Sequence, residues 1–177
     1  MSSILAFAGS NSSTSINYAL VRYTATLIQS HKIILCDMAQ RPFPMYSEDY
    51  EKEHGFSDAL SELRNEIKNA SALIISVNEH NSYPSAYFKN VMDWLSRMDV
   101  SFLEGKKILL MSTSKGGRGA KGALEAAEKM LNRFKGEVKE TFSLPHFQEN
   151  FSQDLGISNT ALANIHREKV DRYLKSI

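Results

Sequence analysis

Four short apolar runs constrain the fold more than any other feature of this 177-residue sequence. They are Ile4–Ala8, Ile33–Cys36, Leu73–Val77 and Ile108–Met111. Each lacks the polar and apolar alternation of a half-exposed strand. Continuous apolar strands are typical of parallel sheets that are covered on both faces. A fifth run, Val138–Leu144, does alternate and therefore predicts an edge strand.

Segments with helical periodicity lie between and after these runs. Their predicted bounds are Ser15–Gln29, Ser57–Asn69, Ser85–Met98, Ala120–Phe134 and Asn159–Lys175. Regular alternation of strands and helices predicts right-handed crossovers, with helices on both faces of the sheet. We therefore expect an α/β fold, a three-layer doubly wound five-stranded parallel sheet. The length suits one domain over residues 1–177.

Composition narrows the classes of function. The net charge is +1 with both signs well mixed, so we expect no nucleic acid or membrane partner. No apolar run approaches the roughly 20 residues that span a bilayer, and the amino terminus lacks the basic flank of a signal peptide. The single cysteine, Cys36, excludes an intrachain disulfide and suits a reducing, cytoplasmic location. Motifs of hydrolases, NTPases and metalloenzymes are missing from the sequence, and we expect no metal.

Sheets of this kind bind ligands beyond the carboxyl ends of their strands, near the point where strand order reverses. The loop after the first strand is rich in hydroxyl groups and opens a helix. A phosphate there would receive backbone amides, hydroxyl donors and the positive end of the helix dipole. The alternative is a polar loop with an ordinary helix cap. The candidate residues in this loop are Ser10, Asn11, Ser15, Ile16 and Asn17.

The loop after the third strand precedes a helix rich in aromatic residues. A planar heteroaromatic ring needs backbone donors and acceptors along one rim and a flat face to lie against. This loop offers both. His80 taken alone equally suits a hydrogen-bonded loop histidine without a catalytic role. The candidate residues are Glu79, His80, Asn81, Ser82 and Tyr83.

The loop after the fourth strand contains closely spaced glycines. Such glycines let the main chain approach a ligand and point amides at negative charge. Arg118 adds positive charge there, for the same ligand or for a nicotinamide phosphate. The alternative is a flexible surface turn with a solvated arginine. The candidate residues are Ser112, Ser114, Gly116, Gly117 and Arg118.

The same loop supports a competing hypothesis. Gly117, Gly119 and Gly122 form a G-x-G-x-x-G pattern between a predicted strand and a predicted helix, with Glu137 twenty positions beyond Gly117. That context is the one a dinucleotide fingerprint requires, although a single match is weak. It keeps open a Rossmann enzyme that binds NAD(P) without any flavin.

Taken together, the three loops resemble those of the NADPH-dependent FMN reductase family, which includes quinone, azo-dye and chromate reductases. The similarity runs from the first strand to about Glu128. It is carried by Gly9-Ser10 with Ser15-Ile16-Asn17, by Glu79-His80-Asn81 through Asp93-Trp94, and by Ser112 through Gly119. The resemblance implies a flavodoxin-like fold with strand order 2-1-3-4-5. It also implies a homodimer or homotetramer.

The resemblance further implies a role for each loop. Ser10, Ser15 and Asn17 would hold the FMN phosphate, Glu79 to Tyr83 would cradle the isoalloxazine, and Ser112 with Gly116 to Arg118 would flank it. Many relatives carry arginine at the position of Ser12, so a weaker grip on the phosphate is expected. The segment from Pro42 to Asp49 resembles a loop that lies near the active-site mouth in relatives.

The activity implied is that of an NAD(P)H-dependent, FMN-containing oxidoreductase. NAD(P)H would deliver hydride to the flavin and leave, and a small acceptor such as a quinone or free flavin would replace it in a ping-pong cycle. No catalytic acid is required, and no catalytic residue is assigned. A flavodoxin-like electron carrier is the other alternative; the near-neutral charge counts against it, since small carriers of that kind tend to be acidic.

Overall fold

The structure is a computed structural model that describes residues 3–177. Its strands are β1 (Ser3–Ala8), β2 (Lys32–Cys36), β3 (Ala72–Val77), β4 (Glu79–His80), β5 (Tyr83–Pro84), β6 (Lys107–Thr113), β7 (Glu137–Leu144), β8 (Phe151–Ser152) and β9 (Gly156–Ile157). Its helices are α1 (Ile16–Thr26), α2 (Glu48–His54), α3 (Asp58–Asn69), α4 (Ala86–Met98), α5 (Lys121–Arg133), α6 (Phe147–Asn150) and α7 (Thr160–Ser176). A single 3-10 turn covers Met38–Gln40.

Five long strands form one sheet in the order β2-β1-β3-β6-β7, and every neighbouring pair is parallel. This is the predicted order 2-1-3-4-5 in chain order of the long strands, so the predicted fold class is confirmed. The alternating strand β7 lies at an edge, as predicted. Two short antiparallel hairpins, β4–β5 and β8–β9, lie outside the sheet.

Each face of the sheet carries its own core. Leu5 and Phe7 of β1 pack into the core shared with α3, α4 and α5, whereas Ile4, Ala6 and Ala8 pack into the core shared with α1 and α7. Successive side chains of a strand point to opposite faces, so a strand buried on both must be apolar throughout. This explains why the run in β1 is continuous.

Strand β2 departs from the expectation. Its run Ile33–Cys36 is as apolar as the others, yet β2 pairs with β1 alone at the edge of the sheet, and Leu35 is exposed. The prediction that this run is covered on both faces is therefore wrong at Leu35. Strand order, which is a tertiary property, decides the burial of an edge strand, and hydrophobic continuity does not report it.

Side-chain caps set where most of the long helices begin. Ser15, Ser57, Ser85 and Asn159 each accept a hydrogen bond from a backbone amide in the first turn of α1, α3, α4 and α7. Helix α5 begins differently, because Ala120 stands at its N-cap with a φ of 64° and makes no side-chain cap bond. Among residues 3–177, no helix combines the length and the apolar character needed to cross a bilayer.

Candidate functional site

The loops that follow β1, β3 and β6 meet at the carboxyl edge of the sheet, as expected for three adjacent parallel strands. Together they enclose a cavity of about 410 Å³, here called the loop hollow. This volume is typical of a small-ligand pocket. Its lining residues are Ser10, Ser12, Thr14, Ser15, Ile16, Asn17, Asn78, Glu79, His80, Thr113, Ser114 and Lys115.

A second cavity of about 380 Å³, the side hollow, adjoins the first. The two share Ser10, Ser12, Asn78 and His80. The side hollow adds Asn11 from the first loop, together with residues from the start of α4 and from the connection after β2. Those further residues are Phe43, Met45, Ser85, Ala86, Tyr87 and Asn90.

The amino terminus of α1 opens into the loop hollow. Ser15 Oγ accepts from the Tyr18 amide at 3.2 Å, which leaves the hydroxyl hydrogen of Ser15 free to donate to a ligand. The hydroxyls of Ser12 and Thr14 lie 3.2 Å apart and are exposed. Hydroxyl donors at the positive end of a helix form a binding site for a phosphate group. Ser10, Ser15 and Ile16 all line the loop hollow.

Asn17 lines the loop hollow, but most of its hydrogen-bonding capacity is used within the protein. It is buried, its Oδ1 accepts from Ser76 Oγ at 2.7 Å and from Thr113 N at 3.0 Å, and its Nδ2 donates to Thr113 O at 3.2 Å. A single amide hydrogen remains for a ligand. Asn17 thus ties α1 to β3 and β6, and so fixes the relative positions of the loops that form the hollow.

Asn78 was not predicted from the sequence, yet it lies between the two hollows. Its Oδ1 is buried and has no hydrogen-bond partner among the residues that the structure describes. An unsatisfied buried acceptor costs about 1–3 kcal/mol, which a donor on a bound ligand would recover. FMN carries such donors, a ring N–H and ribityl hydroxyls, so the site fits it.

Lys115 also lines the loop hollow, although it was not among the residues predicted from the sequence. Of the residues in the described chain that line the loop hollow, it alone is a lysine or arginine. It makes no ion pair within residues 3–177. Its side chain therefore lines the same space as the hydroxyls of the loop after β1, and Ser114 beside it lines that space too.

The candidate residues of the loop after β3 lie on two different surfaces. Asn81 and Ser82 have φ values of 52° and 68° and form the two-residue turn of the β4–β5 hairpin. Glu79 and His80 line the loop hollow. Ser82 and Tyr83 instead line a groove of about 780 Å³ against α5, and Asn81 lines neither cavity.

Glu79 also caps α5 from a distance in sequence. Its Oε2 accepts from the Ala123 amide at 3.1 Å, in the first turn of a helix that has no side-chain cap of its own. A carboxylate at this position compensates the positive end of the helix dipole. The amino terminus of α5 is therefore already matched by an anion of the protein itself.

The glycines of the loop after β6 allow protein segments to approach each other closely. Gly119 has a φ of 58°, and a Cβ there would collide with Ser143 Oγ. A Cβ on Gly122 would lie 2.6 Å from the Ser82 carbonyl oxygen and 3.2 Å from Glu79 Oε2. The G-x-G-x-x-G pattern is thus explained by packing around a terminus that Glu79 occupies. This arrangement disfavours the Rossmann alternative.

The remaining candidates of the loop after β6 do not line the loop hollow. Ser112 is fully buried and donates to the Gly119 carbonyl at 2.7 Å, which closes the turn. Gly116 and Gly117 are exposed, and Arg118 Nη2 donates to Ser82 Oγ at 3.3 Å. Arg118 thus joins the glycine turn to the β4–β5 hairpin.

Fold and site together define a flavodoxin-like protein with a hydroxyl-lined cleft at the carboxyl edge of its sheet. The chain belongs to the NADPH-dependent FMN reductase family, whose model matches residues 2–149. The predicted family is therefore confirmed.

The chain is 34% identical over 73 residues to a quinone reductase of Escherichia coli strain K12. That alignment covers 41% of this chain and 39% of the relative, so the match spans about two fifths of the relative's length. Two solved structures share the fold. A flavoenzyme NAD(P)H:(acceptor) oxidoreductase from Paracoccus denitrificans aligns with a TM-score of 0.78 at 20% identity, over 99% of this chain and 96% of that one. Flavodoxin 1 from Bacillus cereus aligns with a TM-score of 0.63 at 12% identity, over 100% and 99%.

Proposed function

We propose that this chain is an NAD(P)H-dependent oxidoreductase that binds FMN in the loop hollow and reduces a small acceptor, a quinone or a free flavin, by ping-pong hydride transfer. The family assignment and the name of the quinone reductase relative support this activity. One observation of the site carries the proposal. The open, hydroxyl-lined terminus of α1 borders a cavity that is also lined by Asn78, whose buried Oδ1 has no hydrogen-bond partner within residues 3–177.

The residues would divide the cofactor between them. Ser10, Ser15 and the first amides of α1 would bind the phosphate, and Lys115 would add the positive charge that Ser12 lacks. Asn78 would accept a hydrogen bond from a polar edge of the cofactor. When bound, FMN supplies the redox chemistry, and the protein contributes orientation and electrostatics.

We further propose that residues 1–177 act as one domain in the cytoplasm and assemble as a homodimer or homotetramer. The groove beside the β4–β5 hairpin, which contains the exposed Tyr83, is the candidate interface. Light scattering on the purified chain tests the assembly. A monomer at micromolar concentration would contradict it.

A visible spectrum of the purified or FMN-reconstituted chain separates the alternatives. A flavin spectrum followed by steady-state NAD(P)H oxidation with a quinone supports the oxidoreductase. A flavin spectrum without turnover would indicate an electron carrier instead. A colourless chain that binds NAD(P) but does not bind FMN would favour the Rossmann alternative instead.

A further inference from the structure

We propose that Met45 forms the apolar wall against which a planar aromatic acceptor lies, and that Asn90 is the positioning residue that presents Met45 to the cleft. The proposal rests on the proposed function and specifies the acceptor class of the same site. It assigns to the side hollow a task that the phosphate-binding residues do not perform.

The backbone on both sides of Met45 is fastened to α4. Asn90 Oδ1 accepts from Tyr46 N at 2.7 Å, and Asn90 Nδ2 donates to Pro44 O at 2.9 Å. Trp94 Nε1 donates to the same Pro44 oxygen at 2.8 Å. Asn90 is only 4% exposed, so its amide is committed to these two peptide groups and little of it is left for solvent.

Further contacts along the same face of α4 hold the rest of this connection. The Tyr87 hydroxyl donates to Arg41 O at 2.7 Å, and its ring stacks on Phe43 with centroids 6.3 Å apart. Near the end of the helix, Arg97 pairs with Glu51 at 2.8 Å. Residues 87, 90, 94 and 97 are spaced by three or four positions, so they lie on one side of the helix.

Met45 is the exception within this anchored segment. Its side chain is 68% exposed although the peptide groups before and after it are fixed to Asn90. Single exposed apolar residues are common, and exposure alone indicates nothing. Met45, however, lines the side hollow together with Phe43 and Tyr87, and its backbone has little freedom to withdraw. The backbone that presents this apolar side chain to the cleft is therefore held in place.

The chemistry of this wall selects a class of acceptor. A thioether is polarizable and makes favourable contacts with aromatic rings. A flat quinone would rest on Met45, with Asn11 and His80 available to its polar edges. The reaction balances as NAD(P)H, one proton and a quinone giving NAD(P)⁺ and a hydroquinone. A compact inorganic oxidant such as ferricyanide has no ring to place and would not need the wall.

The first test compares two acceptors in FMN-loaded variants. Met45→Ala should raise the KM for menadione about tenfold, because the ring loses its apolar contact. The KM for ferricyanide and the FMN content should change less than about twofold, and Met45→Leu should retain most of the menadione affinity. Val100→Ala is the matched control, since Val100 is 67% exposed and lines neither hollow.

The second test concerns Asn90. Asn90→Ala should raise the KM for menadione as Met45→Ala does, and the double variant should be no worse than about twofold beyond either single variant, since contacting residues couple. A merely structural Asn90 would lower stability with the menadione KM unchanged, or would add its full effect to that of Met45→Ala. Either result would remove Asn90 from the proposal.

A binding measurement needs no turnover and covers the case in which an Asn90 variant fails to fold. Methyl-¹³C methionine labelling gives one signal for each of the seven methionines, and Met45→Leu identifies the Met45 signal by its loss. Menadione added to the oxidised, FMN-loaded chain should shift that signal through the ring current. An unmoved Met45 signal at saturation, or a Met45→Ala variant impaired equally with both acceptors, would overturn the proposed role of Met45 but not the proposed function. Failure of the wild type with every acceptor would overturn the proposed function and the wall with it.

Discussion

The helices α1 and α5 both begin at the carboxyl edge of the sheet, yet their amino termini differ in what they can bind. The terminus of α1 opens into the loop hollow and is lined by hydroxyl groups. The terminus of α5 receives the carboxylate of Glu79 at the Ala123 amide. Every helix terminus can attract an anion. We infer from this difference that the neighbouring loops decide which terminus is available to a ligand.

This comparison also separates a motif from its usual meaning. The G-x-G-x-x-G pattern stands at the closed terminus, where Gly119 and Gly122 admit Ser143, Ser82 and Glu79. The loop that opens onto the hollow contains Gly9 but otherwise consists mainly of serine, threonine and asparagine. Glycines here serve contacts between protein segments, whereas hydroxyl groups line the open hollow. The literal pattern match therefore falls at the helix terminus that a carboxylate of the protein already occupies.

The largest effect is expected from Asn17→Ala, which would release the amino terminus of α1 from β3 and β6. Asn17→Ala would leave Ser76 Oγ and both backbone groups of Thr113 without their partners in a buried position. We expect a loss of about 4 kcal/mol in the free energy of unfolding, and weaker FMN binding as the loops separate. Chemical denaturation measures the stability, with the exposed Asn11→Ala as control at less than about 0.5 kcal/mol. A loss below about 1 kcal/mol for Asn17→Ala would mean that its side chain is free to serve the ligand.

Acid should loosen the α1 side of the molecule more than the α5 side. His166 of α7 is fully buried, and its Nε2 lies 3.0 Å from Thr24 Oγ1 of α1. Burial, helped by the charge of Arg167, lowers the pKa of His166 from 6.5 to about 4. Between these values the unfolded chain takes up a proton that the folded chain refuses. The contribution of neutral His166 to the free energy of unfolding is therefore fully present above pH 6.5. The free energy of unfolding falls by up to about 3 kcal/mol between pH 6.5 and pH 4.

The free energy of unfolding measured from pH 7.5 to pH 4 in the wild type and in His166→Leu tests this. Carboxylate titration is common to both chains, so their difference isolates the histidine. Between pH 7.5 and pH 5, hydrogen-exchange protection factors should fall more in α1 than in α5. A difference between the two chains that does not depend on pH would contradict the protonation argument.

Removing the Glu79 carboxylate from the amino terminus of α5 tests directly whether it makes the two termini different. Glu79→Ala removes the anion at Ala123 N and should cost about 1–2 kcal/mol of stability. Glu79→Gln retains a hydrogen-bond acceptor without the charge and should cost less. Added inorganic phosphate should then raise the Tm of Glu79→Ala more than that of the wild type, since a vacated helix terminus attracts anions. Equal responses of the two chains to phosphate would show that Glu79 does not guard this site.

Most of the fold was predictable because its determinants are local. Helix α3 was predicted over Ser57–Asn69 and begins at Asp58 with Ser57 as its cap. The β4–β5 hairpin and α2 were missed because two-residue strands and a seven-residue helix leave no period to detect. The site was predictable as three converging loops, but its internal pairing was not. The bonds of Glu79 to Ala123 and of Asn17 to Thr113 span 44 and 96 residues, and nothing in either loop indicates its partner.

The smallest expected effect tests whether the open terminus has its own cation. Lys115 is exposed, so screening by solvent limits its contribution to a phosphate contact to roughly 0.2–1 kcal/mol. Lys115→Ala should therefore weaken FMN binding up to about fivefold, should leave riboflavin binding unchanged, and should lose its effect at high salt. Lys121→Ala is the matched control, because Lys121 is also exposed but lies at the terminus that Glu79 closes. Fluorescence titrations with the two flavins measure all three chains. Equal losses for FMN and riboflavin would place the Lys115 charge at the ring, and the hydroxyls of the first loop would then bind the phosphate with backbone amides alone.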